Sequence, residues 1–342
     1  MKKLHINLSD HSYDIIIKDN LIDDLASYIK GVYSNKKIYI ITDSNVAPLY
    51  LARVTKALEN NYEVKEVIVK AGEESKSFDV YQSVCEKLID LNIRRNELLL
   101  ALGGGVIGDL TGFIASTIYR GVPYIGVPTS LLAQMDSSIG GKTGIDFYNR
   151  KNIIGAFKQP LMVLIDPRTC DTLSREEFVN GMGELIKHGA IGNPKLLTLV
   201  ENGVERMTEE IVVESLKVKQ AVVEIDEFDQ KERMFLNFGH TFGHAIELKY
   251  GWKHGQAVAN GMLMALKFGI DMKETNKECY QRIYNILKNC GFPIVEYDYK
   301  EYLPDMAYDK KNLAGVIRFI FIKDFGQPEL YEIKESKIKD LM

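Results

Sequence analysis

The chain has 342 residues, 46% of them hydrophobic and 26% charged, with a formal net charge of −4 at pH 7. This is the composition of an ordinary globular protein, and the length suggests two domains rather than one small core. The mild negative charge excludes a global attraction to nucleic acid or to anionic membranes, so any anionic substrate must be met by a local cluster of Lys and Arg.

Along the first half, strand and helix alternate. Residues 15–17, 37–41, 64–69, 97–102, 124–127 and 162–165 read as short apolar strands, the first as one arm of a hairpin with 4–8. Between them, 20–28, 46–59 and 78–90 carry helical periodicity. That alternation predicts an α/β fold with a mostly parallel sheet covered on both faces, whose ligands bind beyond the carboxyl ends of the strands. After Asp166-Pro167 the pattern becomes helical, at 175–188, 209–223, 258–272 and 280–289. A late strand pair, 316–322 and 329–333, turns at Gly326-Gln327-Pro328. The domain boundary falls near residue 170, giving 1–170 and 171–342.

Cys85, Cys170, Cys279 and Cys290 are widely spaced and form no Cys-x-x-Cys pair, the pattern of reduced cysteines in a cytoplasmic protein. The start, Met1-Lys2-Lys3-Leu4-His5, is not followed by the apolar stretch of a signal peptide, and no apolar run reaches the length of a membrane span.

Three segments carry chemistry. The strand Leu98-Leu99-Leu100-Ala101-Leu102 runs into Gly103-Gly104-Gly105-Val106-Ile107-Gly108-Asp109, a G-x-G-x-x-G at a strand-to-helix turn. Glycines there let the backbone approach a pyrophosphate seated on the helix N-terminus. The loop departs from the usual dinucleotide fingerprint, since it lies about a hundred residues in and no acid follows about twenty positions later. Asp43, after an earlier strand, is the natural ribose-binding acid. Next, Arg120, Lys142, Lys151 and Asn152, interleaved with glycines, suit a polyanionic small molecule better than they suit a solvated loop.

The third segment holds three of the six histidines within fifteen residues: His240, His244 and His254. His240 and His244 are four apart, hence on one helical face, the spacing with which two imidazoles reach one metal ion. His254 follows just before Gly255, where a short connection folds it back. A lone pair would be read as core histidines; three with flanking glycines point to metal, with a carboxylate to come from elsewhere. Glu184 and Lys187 share a helical face, either as a surface ion pair or as the missing metal ligand beside a phosphate-binding lysine. Arg233, Asn237 and His240 form one polar stripe, the wall of an active site, if the helix between them is continuous.

Together these residues resemble the 3-dehydroquinate synthase family over nearly the whole chain. The most specific parts are GGGVIGDLTGF (103–113), VPTSLLAQMDSSIGGKTGID (127–146), KNIIGAF (151–157), NGMGELIKHG (180–189) and LNFGHTFGHAIE (236–247) with HG (254–255). The resemblance implies an N-terminal Rossmann-like NAD-binding domain and a C-terminal mainly α-helical domain, with the active site in the cleft between them. It places a zinc or cobalt ion on Glu184, His240 and His254; spacing alone would have added His244, which the family pattern uses for substrate phosphate and proton traffic. It implies NAD contacts from Asp43, Asn45, Gly72, Glu73, Lys76, Gly104, Gly105, Val106, Ile107, Gly108, Asp109, Thr129, Ser130, Asp136, Lys142, Lys151, Thr169, Cys170, Asp171 and Thr172. Substrate contacts follow from Arg120, Asp136, Lys142, Asn152, Lys187, Lys219, Arg233, Asn237, His244 and one of Lys310 and Lys311. The implied substrate is a sugar phosphate, 3-deoxy-D-arabino-heptulosonate 7-phosphate, and the implied assembly a homodimer in which Arg120 reaches the neighbouring site. Three departures stand out: Asp229 where the family often has Glu, a short link from His244 to His254, and Ala71 where many members have Asp. The competing readings are another sugar-phosphate cyclase and a metal-dependent polyol dehydrogenase.

Overall fold

A computed structural model describes residues 1–148, 150–295, 298–302 and 316–334. The chain divides into two compact units, Met1–Leu173 with Arg206–Val213, and Ser174–Glu205 with Glu214–Met342.

The elements of the first unit are β1 (Lys2–Ile6), β2 (Tyr13–Ile17), α1 (Leu25–Ile29), β3 (Lys37–Asp43), α2 (Ala52–Leu58), β4 (Glu63–Val69), α3 (Phe78–Asp90), β5 (Leu98–Gly103), α4 (Gly105–Thr117), β6 (Tyr124–Pro128), β7 (Lys142–Phe147), β8 (Arg150–Phe157) and β9 (Met162–Ile165). Seven strands form one sheet in the order β1-β2-β9-β6-β5-β3-β4. Only the β1–β2 hairpin at one edge is antiparallel; the other pairings are parallel. Parallel sheets bury both faces, which is why β5 reads as an unbroken apolar run. Leu98, Leu100 and Leu102 pack on one side with α1 and α2, while Leu99 and Ala101 pack on the other with α3 and α4. Each of these leucines, fully withdrawn from water, contributes about 1.5–3 kcal/mol.

From β3 the chain steps to β4 on one side, then returns to β5 on the other. The order therefore reverses between β3 and β5, the position at which sheets of this kind bind ligands. Asp43 ends β3 and Gly103 ends β5, each one residue beyond the paired Thr42 and Leu102.

The basic stretch 142–157 is a two-stranded hairpin, β7 with β8, where the sequence suggested no strands. Gly144 and Gly155 bring the two backbones so close that a Cβ on Gly155 would sit 2.3 Å from the Thr143 carbonyl oxygen. Those glycines, with charged residues between them, hide the apolar alternation by which a strand is recognised.

The second unit contains α5 (Arg175–Ile191), α6 (Pro194–Glu201), most of α7 (Glu209–Ile225), α8 (His240–Tyr250), α9 (His254–Asp271), α10 (Lys277–Cys290) and the hairpin β10 (Val316–Ile322) with β11 (Pro328–Lys334). An aromatic cluster of Phe242, Phe268, Tyr299, Phe319 and Phe321 fills its core. Pro328 opens β11, the position in a strand where its missing N–H costs least.

The continuous helix through 233–240 on which a single Arg233–Asn237–His240 stripe depends is not formed. Glu232–Asn237 is a short 3-10 turn, Phe238 is extended, and Gly239 takes φ +80° before α8 begins at His240. The break makes room for α9: a Cβ on Gly239 would lie 2.8 Å from the Val258 carbonyl oxygen. A Cβ on Gly261 of α9 would lie 2.0 Å from the Gly239 carbonyl oxygen and 2.6 Å from the Gly243 amide nitrogen. These obstacles are backbone, which cannot rotate aside. Gly261→Ala is therefore expected to cost about 3 kcal/mol or more, read as a lower urea midpoint, whereas an unchanged midpoint would mean that the helices do not approach this closely.

Candidate metal and nucleotide sites

In the second unit, α5 carries the carboxylate. Its start is fixed by Ser174, whose Oγ accepts the Glu177 amide N–H, with Glu176 and Glu177 in the first turn. Two turns on, Glu184 and Lys187 are 0% and 1% exposed and form an ion pair, so they are not a surface pair. Neither oxygen of Glu184 finds a well-aligned hydrogen-bond donor among the described residues.

His254 is pinned to the same helix from two sides. Lys253 Nζ pairs with Glu176 and Glu177 near the start of α5, and the Gly255 N–H donates to Asn180 Oδ1 at 2.7 Å. Gly255 meets α5 at backbone contact: its Cβ would fall 1.8 Å from the Asn180 carbonyl oxygen. His240 opens α8, whose link to α9 is only residues 251–253.

The result is a three-donor group. Glu184 Oε1 lies 3.8 Å from His240 Nε2 and 3.7 Å from His254 Nε2. All three donor atoms fall within 4.8 Å of one another. Ligands of a tetrahedral zinc with bonds of 2.0–2.2 Å are about 3.4 Å apart, so a small inward movement would close this set on an ion. Each ring also has an acceptor at its far nitrogen: His240 Nδ1 faces the Phe238 carbonyl at 3.3 Å, and His254 Nδ1 faces Glu247 Oε2 at 3.3 Å. That leaves both Nε2 atoms for a metal. Burial, helped by the charge of Lys187 and the other two imidazoles, holds His240 well below the ordinary histidine pKa, in its neutral, ligating form. At His254, burial opposes the cation, but the hydrogen bond that His254 donates to Glu247 and the charges of Glu184 and Glu247 raise its pKa. His244 lies outside the group, its ring 5.5 Å from that of His240 and 6.1 Å from that of His254.

In the same unit, Lys219 of α7 and Arg233 are buried, and Asn237 is exposed. Arg233 Nη1 donates to the Glu227 carbonyl at 2.7 Å. Its loop is organised by Asp226, which sequence reasoning passed over. The Asp226 carboxylate accepts backbone N–H groups of Gln230 (2.9 Å), Lys231 (2.6 Å) and Arg233 (3.1 Å). Asp229 sits in this loop at φ +59°. Lys310 and Lys311 lie outside the described residues.

In the first unit, α4 begins at the glycine loop with no side chain capping its first turn, which leaves those N–H groups for an anion. A Cβ on Gly104 would meet Ser130 Oγ at 3.2 Å, and one on Gly105 would meet Ser137 Oγ at 3.0 Å. A cavity beside the loop is lined by Gly103, Gly104, Gly108, Asp109, Ser137, Ser138 and Lys142. The Lys76 ammonium is buried and joins three expected site residues, with Asp109 Oδ2 at 2.8 Å, Glu73 Oε1 at 3.6 Å and a short bond to Asn152 Oδ1. Burial opposes that charge, but Asp109 and Glu73 hold its pKa above the usual lysine value. Asp43 Oδ1 accepts from the Asn45 and Val46 amides at 2.8 and 3.0 Å, which fixes the acid at the strand end. The turn Pro167–Thr172 faces inward in part: Thr169 Oγ1 and the Cys170 thiol contact Gln134, and burial pushes that thiol up to about 12. Thr172 Oγ1 contacts Tyr50, and Asp171 pairs with Arg168. Asp136 lies in the Ala133–Ser137 turn, Lys151 is exposed on β8, and Arg120 is exposed at φ +63°.

Residues 66–180 match the description 3-dehydroquinate synthase N-terminal and residues 181–312 the description 3-dehydroquinate synthase C-terminal. A 3-dehydroquinate synthase of Clostridium botulinum is 42% identical over 341 residues, covering 96% of this chain and 97% of the relative. The chain belongs to the 3-dehydroquinate synthase family. Among solved structures, a 2-epi-5-epi-valiolone synthase from Streptomyces hygroscopicus with NAD+ and Zn2+ bound matches with a TM-score of 0.87 at 22% identity, covering 98% of this chain and 96% of that one. A 2-deoxy-scyllo-inosose synthase complexed with carbaglucose-6-phosphate, NAD+ and Co2+ matches with a TM-score of 0.85 at 24% identity, covering 99% of each. The family's α/β fold, with its mostly parallel sheet followed by a mainly helical part, is the fold observed.

Losing Asp226 orphans three backbone N–H groups. Asp226→Ala is expected to cost about 2–3 kcal/mol near neutral pH. The bonds to these amides hold the Asp226 pKa below the usual carboxylate value against the effect of burial. A depressed folded-state pKa contributes stability that is present above the unfolded value and lost as pH falls through the folded one. The stability gap between wild type and Asp226→Ala, measured by urea unfolding, should therefore shrink from pH 7 towards pH 3; a constant gap would contradict this.

Proposed function

We propose that this chain converts 3-deoxy-D-arabino-heptulosonate 7-phosphate into 3-dehydroquinate and phosphate, using NAD and a divalent metal ion, zinc or cobalt. The observation that carries the reading is the buried Glu184 carboxylate facing two imidazole Nε2 atoms, in a chain that belongs to the 3-dehydroquinate synthase family. NAD held at the glycine loop would supply a hydride acceptor and donor for C5, and a metal held by Glu184, His240 and His254 would supply Lewis acidity at that alcohol.

The protein's own groups do the holding. The glycine loop with Asp109, the strand-end acid Asp43 and the turn bearing Glu73 and Lys76 orient the dinucleotide. Gly72, Asn45, Thr129, Ser130, Lys151 and the 169–172 turn complete its contacts. Lys142, Asn152, Lys187, Lys219, Arg233, Asn237 and His244 hold the substrate's anionic groups while charge develops, and Asp136 accepts from its hydroxyls. Fixed cations and donors of this kind stabilise developing charge without reorganising at the moment of reaction. Once C5 is a ketone, the neighbouring C6 proton becomes acidic; the substrate's own phosphate takes it as phosphate is eliminated, and His244 manages proton traffic there. Ring opening and an aldol closure then complete the carbocycle, and the overall conversion involves no net redox change.

The family resemblance also supports a homodimer, with Arg120 of one protomer serving its partner's site, and a place in the cytoplasm. No helix among the described residues is long and apolar enough to cross a membrane.

The test is phosphate release from 3-deoxy-D-arabino-heptulosonate 7-phosphate by purified protein with zinc and catalytic NAD, with NADH absorbance followed alongside. Phosphate and dehydroquinate should appear together without net NADH, and activity should be lost on chelation. Release only from another sugar phosphate would make the protein a sister cyclase, and steady NADH accumulation with a polyol would make it a dehydrogenase. In the same assay, Lys187→Ala should lower turnover about 10²-fold or more, and near-wild-type turnover would remove Lys187 from the machinery.

A further inference from the structure

Glu247 is seven residues after His240 and three after His244 on α8, so the three side chains share one helical face. Its side chain is 14% exposed and meets His254 at the start of the next helix. The His254 ring thus stands between two carboxylates. Nδ1 faces Glu247 Oε2 at 3.3 Å, and Nε2 faces Glu184 Oε1 at 3.7 Å. His240 differs: among the described residues, its Nδ1 faces a peptide carbonyl, that of Phe238.

An imidazole ligand needs one nitrogen free of protons and aimed at the ion. An acceptor on the other nitrogen fixes both the tautomer and the ring angle, and a charged acceptor also raises the basicity of the ligating nitrogen. His254 needs this more than His240 does. Both histidines are the first residue of a helix, but 31% of the His254 side chain is exposed against 12% for His240. Backbone contacts with α5 fix its main chain, through Asn180 and Gly255, but leave χ1 and χ2 free.

We propose that Glu247 is a positioning residue of the metal site, holding His254 with Nδ1 protonated so that Nε2 points into the group formed with Glu184 and His240. This rests on the metal reading above. A plain ion pair between helices would stabilise the fold and leave metal affinity untouched, which separates the two roles experimentally.

The experiment uses the full chain stripped of metal, with Zn2+ and Co2+ alone as probes. Zinc affinity is read by chelator competition, ligand geometry from the visible bands of bound Co2+, and fold integrity from the Tm of the metal-free protein. Glu247→Ala should weaken zinc binding about 10–100-fold and shift the cobalt bands. The metal-free Tm should move by no more than about 3 °C. Zinc affinity within about twofold of wild type in that variant overturns the assignment, whatever its Tm. Should Glu247→Ala fail to fold, Glu247→Gln decides: it keeps an acceptor oxygen but loses the charge, and should weaken zinc binding about tenfold. Wild-type affinity and wild-type cobalt bands in Glu247→Gln overturn the proposal. A wild-type protein that binds neither ion overturns the metal reading itself, a result distinct from unchanged affinity in the variants.

Discussion

Burying a carboxylate is costly unless cations and donors surround it, and removing one partner of such a set leaves the other charge stranded. Glu184 sits under that constraint in the middle of α5, with no exposed surface. The second unit is arranged to answer it. Lys187 comes from the same helix one turn on, His240 from the start of α8, and His254 from the start of α9. Helices can bring their first residues this close only where their backbones nearly touch, which is what Gly239, Gly243, Gly255 and Gly261 allow. The glycines of the histidine-rich stretch are therefore packing residues, and the site's geometry follows from them.

The first unit answers a different requirement, an electropositive end for phosphates without side chains in the way. The reversal of strand order between β3 and β5 opens the sheet's carboxyl edge, and the glycine loop places an uncapped helix N-terminus there. Lys76 adds a buried cation that ties the loop's Asp109 to Asn152 on β8. A residue expected to contact NAD and one expected to contact substrate thus share a single ammonium group.

Much of this was legible in the chain itself. The parallel sheet announced itself through apolar runs such as 98–102; the clustering of three histidines offered His254 as a candidate ligand, while Glu184 stood open between an ion pair and a ligand until the family resemblance was considered. What stayed hidden has physical reasons. The β7–β8 hairpin is masked because Gly144 and Gly155 replace the side chains whose alternation marks a strand. The stripe drawn through Arg233, Asn237 and His240 assumed a continuous helix, but tight packing against α9 imposes a break at Gly239 that helical periodicity does not register. Spacing offered His244 as a ligand because it is one turn from His240; whether a ring points at Glu184 depends on how α9 crosses, a tertiary fact. The family resemblance, not the spacing, left His244 out of the metal set. Asp226 and Glu247 were missed because each acts on backbone or on another side chain. A lone acid in sequence gives no sign of such a role, although Glu247 does lie within the histidine-rich stretch.

The central claim is that Glu184, His240 and His254 together hold one metal ion. Crystals of the zinc-loaded protein, measured on both sides of the zinc absorption edge, test it most directly. The account predicts one strong anomalous peak per chain, about 2.0–2.2 Å from a Glu184 oxygen and from the Nε2 atoms of His240 and His254, with His244 beyond bonding distance. A peak bound through His244 in place of one of these residues, or no peak near Glu184, would contradict it.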